Sequence, residues 1–540
     1  MFYGPMFTIS ASRIFYAACF SFYILVLNII NIVRHDADPL SIILQYSLIF
    51  FFCFFPIINF FSFQKHVLKI TSITIIWITS IIVFYRLNYG SIITGELIGT
   101  SLTTDIGLGM ELLSSSLFFW LLPTALLPSI FILLLKFKKL NKKNIVYGLI
   151  STIVSICLAI LLLFVTGTLS EEKGAVRSPK KVYMMYSHSP LDLVAATYTY
   201  FSKFRPEAKA PHLKDISQLD TFKLPPKTNN LKIVIVIGES ARWDHFSLNG
   251  YNKNTNPKLS LRKNLISFQK TMACATFTTS SLSLLFNRRM CKDISQPITE
   301  TSFVSIFKNL HFKTHIYSLQ IINYLYQKYW GYDVLKMKYS ILVDSGKPIL
   351  TDELLIQPLT EALKQDGNQL IILHTVGSHH KYLDRFPDNF RHSFQNMCRK
   401  SDIKSCTSEE LNNTYDASIA YTDFFLDEVI SLLTNKNALL LYTSDHGESL
   451  GEKGIFLHGA PLEMAPIEQL QVPFIIWASD AFLKTGANKH KFENLIKAKK
   501  IPAPLSHDNF FHTVLGCSGI EGGHKLIDDK LNLCGHHFLP

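Results

Sequence analysis

Five long apolar runs, at 14–33, 42–63, 70–85, 117–135 and 145–165, fill the beginning of this 540-residue chain. An α-helix needs about 17–25 apolar residues to cross the hydrocarbon core of a bilayer. The runs therefore predict five membrane-spanning helices, followed by a portion that folds in water. The third run is short for a span, but Lys69 and Arg86 at its ends can carry their charges out to the interfaces. The first is too long for the apolar region of a signal peptide and lacks a small-x-small cleavage site, which predicts that it is retained. Composition follows the same division. The chain is 48% hydrophobic with 41 Phe, whereas most charges, Gly, Pro and His lie beyond residue 166.

Lys136, Lys138, Lys139, Lys142 and Lys143 crowd the connection between the fourth and fifth runs. Basic connections stay on the cytoplasmic side. Counting outward, the amino terminus with Arg13 and the turn at 65–69 are also inside, and 86–111 and everything after 165 lie outside. The predicted plan is a five-helix transmembrane domain at 1–165, a bridging segment at 166–230 and a soluble domain at 231–540. The net charge of +12 suits an anionic membrane surface. With no Arg/Lys-rich recognition element in the soluble part, nucleic acid is not expected as a partner.

Cys19, Cys53 and Cys157 fall within apolar runs and read as small packing residues. Cys274, Cys291, Cys398, Cys406, Cys517 and Cys534 fall in the soluble part, where an even number in an oxidising compartment suggests disulfides. Sequence neighbours suggest 274–291, 398–406 and 517–534, although six cysteines allow many pairings. In the bridge, a helix is expected over 190–204. Its apolar face, Leu193, Tyr200, Phe201 and Phe204, is suited either to a bilayer surface or to ordinary packing.

The stretch 232–237 (KIVIVI) is apolar and β-branched at successive positions, as a strand buried on both faces should be. Residues 370–374, 438–443 and 472–477 have similar character, with helical patterns such as 418–433 between them. Alternating buried strands and helices predict an α/β domain with a mainly parallel central sheet. Chemistry in such sheets gathers beyond the carboxyl ends of the strands.

Three of these strands run directly into polar clusters: Gly238-Glu239-Ser240; Gly377-Ser378-His379-His380; and Ser444-Asp445-His446-Gly447-Glu448, with His458 further on. Carboxylates with imidazoles suit zinc; manganese accepts the same donors, and magnesium prefers more oxygen. No cysteine enters the clusters, so an open catalytic site fits better than a structural knot. A nucleophile is sought in Cys274-Ala275-Thr276-Phe277-Thr278-Thr279-Ser280-Ser281, which precedes the apolar 282–286. Hydroxyls there read either as helix caps or as an alcohol activated at a helix start.

The residues 238–251 (GESARWDHFSLNGY), with Thr255-Asn256-Pro257, closely resemble the signature of lipopolysaccharide phosphoethanolamine transferases, which include lipid A enzymes and mobile colistin-resistance enzymes. Residues 444–452 (SDHGESLGE) with Leu457-His458-Gly459 resemble a second hallmark, and Ser506-His507-Asp508-Asn509 with Phe511-His512-Thr513 a carboxyl-terminal block. The resemblance implies an alkaline phosphatase/sulfatase-like domain behind five membrane helices, in the bacterial inner membrane with the catalytic domain in the periplasm. It implies zinc held by Glu239, Asp445 and His446 and touched by Thr278, which acts as nucleophile. His379 and His458 become substrate-side residues. Phosphatidylethanolamine would be the donor and lipopolysaccharide the acceptor in a ping-pong cycle run by a monomer among membrane lipids. The spacing of Cys398 and Cys406 matches a disulfide of the family.

The chain departs from the family pattern at several positions. Leu284 stands where the family has a cysteine, which leaves Cys274 to Cys291 or free. Tyr317-Ser318-Leu319-Gln320 replaces a Trp-x-Asp-Asn stretch, and Thr103-Thr104-Asp105-Ile106-Gly107 keeps only the threonines of an outer-loop pattern, with Glu111 nearby. A core sugar such as heptose or Kdo is therefore as suitable an acceptor as a lipid A phosphate. A phosphoglycerol transferase of the lipoteichoic-acid or periplasmic-glucan type shares the plan. The Asn249-Gly250-Tyr251 and Thr255-Asn256-Pro257 signature and the paired cysteines count against it. A non-catalytic membrane scaffold is disfavoured because every implied ligand and Thr278 are retained. Cys274 lacks the Cys/Ser-x-Pro-x-Arg context of a sulfatase.

Overall fold

The computed structural model describes residues 10–35, 40–103, 113–165, 188–204, 213–226, 228–294, 296, 298–320, 351–391, 395–400, 402–502, 504–535 and 538, and the chain divides into two compact units. Thr104–Gly107 and Glu111 of the outer loop, and 166–187 and 205–212 of the bridge, lie outside the described residues.

One unit is helical: α1 (Arg13–His35), α2 (Leu40–Phe61), α3 (Lys65–Tyr89), the start of α4 (Gly95–Thr103, divided after Ile98), α5 (Ser115–Leu134), α6 (Lys142–Val165) and α7 (Leu191–Thr199). Among the described residues, α3, α5 and α6 are long and apolar enough to cross a membrane, and α1 and α2 carry shorter apolar stretches, Arg13–Ile29 and Tyr46–Phe61. The third span is thus not short: α3 has 25 residues, because Lys65, His66 and Lys69 join its first turns. Pro123 enters α5 at a π turn, Leu122–Leu126, the kind of local widening that lets a helix continue past a proline. Buried polar side chains tie the helices together. The Asn59 amide donates to Gly148 O and Thr152 Oγ1, both at 2.9 Å, and Trp120 Nε1 donates to Ser80 O at 2.9 Å.

Of the apolar face expected over 190–204, Tyr200 turns inward and Leu193 is half-buried, whereas Phe201 is exposed. Asp192, Ala196 and Tyr200 are buried, whereas Val194, Tyr198 and Phe201 are exposed. An ion pair holds the buried side: Arg86 of α3 lies 2.5 Å from Asp192, and both side chains are almost wholly buried. A carboxylate taken out of water must face its cation, and that fixes which stripe of the helix turns in.

The other unit holds, among its described residues, a seven-stranded sheet. In chain order its elements are β1 (Leu231–Gly238), β2 (Leu265–Met272), α8 (Thr278–Leu285), α9 (Phe303–Asn309), β3 (Lys313–Ser318), α10 (Ile356–Leu363), β4 (Gln369–His374), α11 (Ser408–Leu433), β5 (Asn437–Ser444), β6 (Gln471–Ala478), α12 (Gly486–Lys500), β7 (Leu505–Ser506) and α13 (Asp508–Cys517). The spatial order is β7-β2-β6-β5-β1-β4-β3. Strands β1, β3, β4 and β5 pair in parallel; β6 alone is reversed, antiparallel to both β5 and β2, and β7 pairs in parallel with β2. The expected mainly parallel sheet is present.

Every residue of β1 is buried. Ile233, Ile235 and Ile237 join a core with Leu282 and Leu285 of α8, Phe303 and Phe307 of α9, and Phe510, Phe511 and Val514 of α13. The alternate residues Val234 and Val236 fill the opposite face. Each such side chain contributes about 1.5–3 kcal/mol relative to exposure, which is why both faces of the central strand are apolar. Disulfides join Cys274 to Cys291, Cys398 to Cys406 and Cys517 to Cys534, and Cys19, Cys53 and Cys157 carry free thiols.

Candidate active site

Sheet register assembles the site. β1 and β5 pair with Gly238 opposite Ser444, so Glu239 and Asp445 leave their strands at the same level. Ile237 lies opposite His374 of β4, and the chain after β4 stays alongside β1: Thr375 N donates to Ile237 O at 3.0 Å and Ser378 N to Glu239 O at 2.9 Å. Gly377 has φ 49°, and a Cβ there would lie 2.6 Å from Glu239 O, so only glycine lets the two segments approach. Ser240 also has a positive φ, 57°, held in place because Tyr415 of α11 donates to its carbonyl at 2.6 Å.

Glu239, Asp445 and His446 are wholly buried and converge. His446 Nε2 lies 3.3 Å from Glu239 Oε1 and 3.3 Å from Asp445 Oδ2. Its other nitrogen, Nδ1, donates to Gly447 O at 2.8 Å, so the neutral ring would present its lone pair at Nε2 to a metal ion. Thr278 Oγ1 donates to Glu239 Oε2 at 3.0 Å and lies 3.3 Å from His446 Nε2. Thr278 is the first residue of α8, and the cap before it is Phe277, whose side chain cannot cap. The threonine hydroxyl is therefore not a cap. Of its neighbours, Thr276 donates to Ala460 O and Ser281 to Asp445 O.

The histidines expected on the substrate side stand beside this cluster, half-buried rather than enclosed. Ligand atoms of His379 and His458 lie within 4.8 Å of one another and of a Glu239 oxygen. His379 Nδ1 lies 2.6 Å from His380 O, and His458 Nδ1 lies 2.7 Å from Glu448 Oε2. All six residues singled out in the sequence meet in one place.

Electrostatics give the cluster its character. Burial favours a neutral Glu239, but His446, His379, His458 and the Gln320 amide outweigh it and hold the carboxyl well below the usual range. Burial and the charge of Glu239 push Asp445 well above it. Two carboxylates this close cannot both be charged unless a cation joins them. Burial lowers the pKa of His458 to about 3 and raises that of Glu448 to about 8. Asp445 Oδ2 is buried and accepts no hydrogen bond. An orphan carboxylate oxygen facing a second carboxylate and an imidazole nitrogen is a donor set suited to a divalent metal ion, so the residues present fit one.

Two further residues belong to the site: Glu448, named within the third polar cluster but given no role there, and Gln320, not predicted for it. Gln320 donates from Nε2 to Glu239 Oε2 at 2.7 Å, and Glu448 anchors His458 while accepting from Tyr382 at 2.7 Å. Glu448 lies inside a recognised motif. Gln320 lies where the family pattern is broken, so nothing local marked it.

Residues 232–520 match the Sulfatase family, and residues 49–204 match the family described as phosphoethanolamine transferase EptA/EptB. Kdo(2)-lipid A phosphoethanolamine 7''-transferase of Escherichia coli (strain K12) is 30% identical over 469 residues, covering 83% of this chain and 82% of that protein. The integral membrane lipooligosaccharide phosphoethanolamine transferase A of Neisseria meningitidis superposes with a TM-score of 0.82 at 24% identity, covering 97% of this chain and 98% of that one. The C-terminal periplasmic domain of EcEptC from Escherichia coli, solved in complex with zinc, gives a TM-score of 0.50 at 22% identity over 59% of this chain and 90% of that one. With its membrane-type helices, its sulfatase-type sheet and this sequence kinship, the chain belongs to the phosphoethanolamine transferase family.

Proposed function

We propose that the chain transfers phosphoethanolamine from phosphatidylethanolamine to lipopolysaccharide, at a lipid A phosphate or a core sugar, through a phosphoethanolamine ester of Thr278. The observation that carries this reading is the position of Thr278 Oγ1, 3.0 Å from Glu239 Oε2 and 3.3 Å from His446 Nε2. The Kdo(2)-lipid A substrate named for the Escherichia coli relative supports the acceptor class. The basic residues at 136–143 support a periplasmic catalytic domain on an inner-membrane anchor.

Glu239, Asp445 and His446, with Thr278 beside them, would hold zinc, the ion found with the EcEptC domain; manganese suits the same donors less well. When bound, zinc supplies Lewis-acid stabilisation of phosphate charge and makes a neighbouring hydroxyl more acidic. Thr278, its hydroxyl held against Glu239 Oε2, gives up its proton as Oγ1 attacks phosphorus. The bond from phosphorus to the glycerol oxygen breaks, and diacylglycerol departs as that oxygen takes up the proton that Thr278 released. His379 and His458, each fixed through Nδ1, leave Nε2 for the substrate side of the site. An acceptor hydroxyl then attacks the same phosphorus, and its proton passes to Thr278 Oγ1 as that oxygen leaves.

Mass spectrometry of lipopolysaccharide from cells carrying wild-type or Thr278→Ala chain tests this. Wild type adds the mass of one phosphoethanolamine, and fragmentation locates it. The same addition by Thr278→Ala would eliminate the covalent route.

A further inference from the structure

We infer that Gln320 is a positioning residue of the metal site, holding Glu239 in the orientation in which it binds the ion. The inference rests on reading Glu239 as a ligand. Gln320 Nε2 donates to Glu239 Oε2 at 2.7 Å and to Thr375 O at 3.0 Å. Both partners are acceptors, so the amide nitrogen must face them and the flip of the side chain is determined. The same Oε2 accepts from Thr278, while Oε1 accepts from Ser240 Oγ at 2.8 Å and faces His446 Nε2 at 3.3 Å. Removing the amide donor would free a wholly buried carboxylate to rotate away from both His446 and Thr278.

Gln320 is itself braced. It lies just beyond the end of β3, where Ser318 is opposite His374 of β4 and His374 is opposite Ile237 of β1. Gln320 N donates to Ser318 Oγ at 3.1 Å, and Ser318 Oγ lies 3.2 Å from His374 Nδ1. Three adjacent strand ends thus deliver one amide to one ligand oxygen. An amide that bonds a ligand without touching the ion sets its orientation and charge, and losing such a partner typically weakens metal binding by about 10–100-fold.

The test uses the purified full chain and zinc affinity measured by competition with a chromophoric chelator. Gln320→Met keeps length and removes the donor; it should bind zinc about tenfold or more weakly, at an unchanged metal-free melting temperature, and regain transfer activity in excess zinc. A role limited to packing would lower the metal-free melting temperature and would not be rescued by zinc. Zinc affinity within about twofold of wild type in Gln320→Met, alongside its loss in Glu239→Gln, would overturn the inference and leave the site reading intact. Wild-type affinity in Glu239→Gln would overturn the site reading and the inference with it. If Gln320→Met does not fold, Gln320→Asn decides, because its shorter amide cannot span both acceptors; unchanged affinity there overturns the inference.

Discussion

His512 of α13 ties stability to pH away from the candidate metal site. Its Nδ1 accepts from Asp528 N at 3.0 Å, a bond only the neutral ring can make, and burial lowers its pKa from 6.5 to about 4. Between those values the unfolded chain holds more protons than the folded one. The contribution is therefore complete above pH 6.5 and is lost as pH falls through about 4. The gap corresponds to on the order of 3 kcal/mol. His512→Asn keeps an acceptor without titrating, and its melting temperature should fall less steeply between pH 7 and 4.5 than that of the wild type. An identical slope would assign the acid sensitivity to other groups.

At the level of elements, α7 and α3 are joined by the Arg86–Asp192 pair. Arg86→Ala would strand a buried carboxylate, at a cost of about 3–5 kcal/mol. The helical unit of that variant should melt markedly earlier in detergent, and Arg86→Ala with Asp192→Ala should recover much of the loss. If the single variant melts like the wild type, the pair does not hold α7. The catalytic sheet shows the same dependence of placement on partners. Slipping β5 by one residue against β1 would take Asp445 away from Glu239 and exchange the side chains packed on the two buried faces of each strand.

In the whole molecule, removing the metal should act on one unit only. Stripped of divalent ions by a chelator, the chain keeps two neighbouring buried carboxylates with no cation between them. The catalytic unit should then melt several degrees lower and recover on zinc addition, since ligand at a hundredfold excess over Kd contributes about 2.7 kcal/mol. The helical unit's transition should not move. Equal melting with and without zinc, followed by calorimetry, would mean that no ion binds there.

Five apolar runs, four strands and the motif residues were legible because each is local information. A membrane span or a strand buried on both faces is written in consecutive apolar residues. β2, with Ser267, Lys270 and Thr271 among its apolar positions, and the edge strands β3 and β7 carry no such run and went unread. The first ten residues of α11 were also missed, although Thr407 and Glu410 form the capping box that starts it. The outward face of α7 and the place of Gln320 depended on partners far away in sequence. Alone, the sequence determined which segments are apolar, which strands are central and which side chains could take part in chemistry, because hydrophobic period and residue type are properties of neighbours along the chain. Only the tertiary structure decided which oxygens and nitrogens meet, because register and hydrogen-bond geometry bring together residues from 239 to 458 that no local pattern relates.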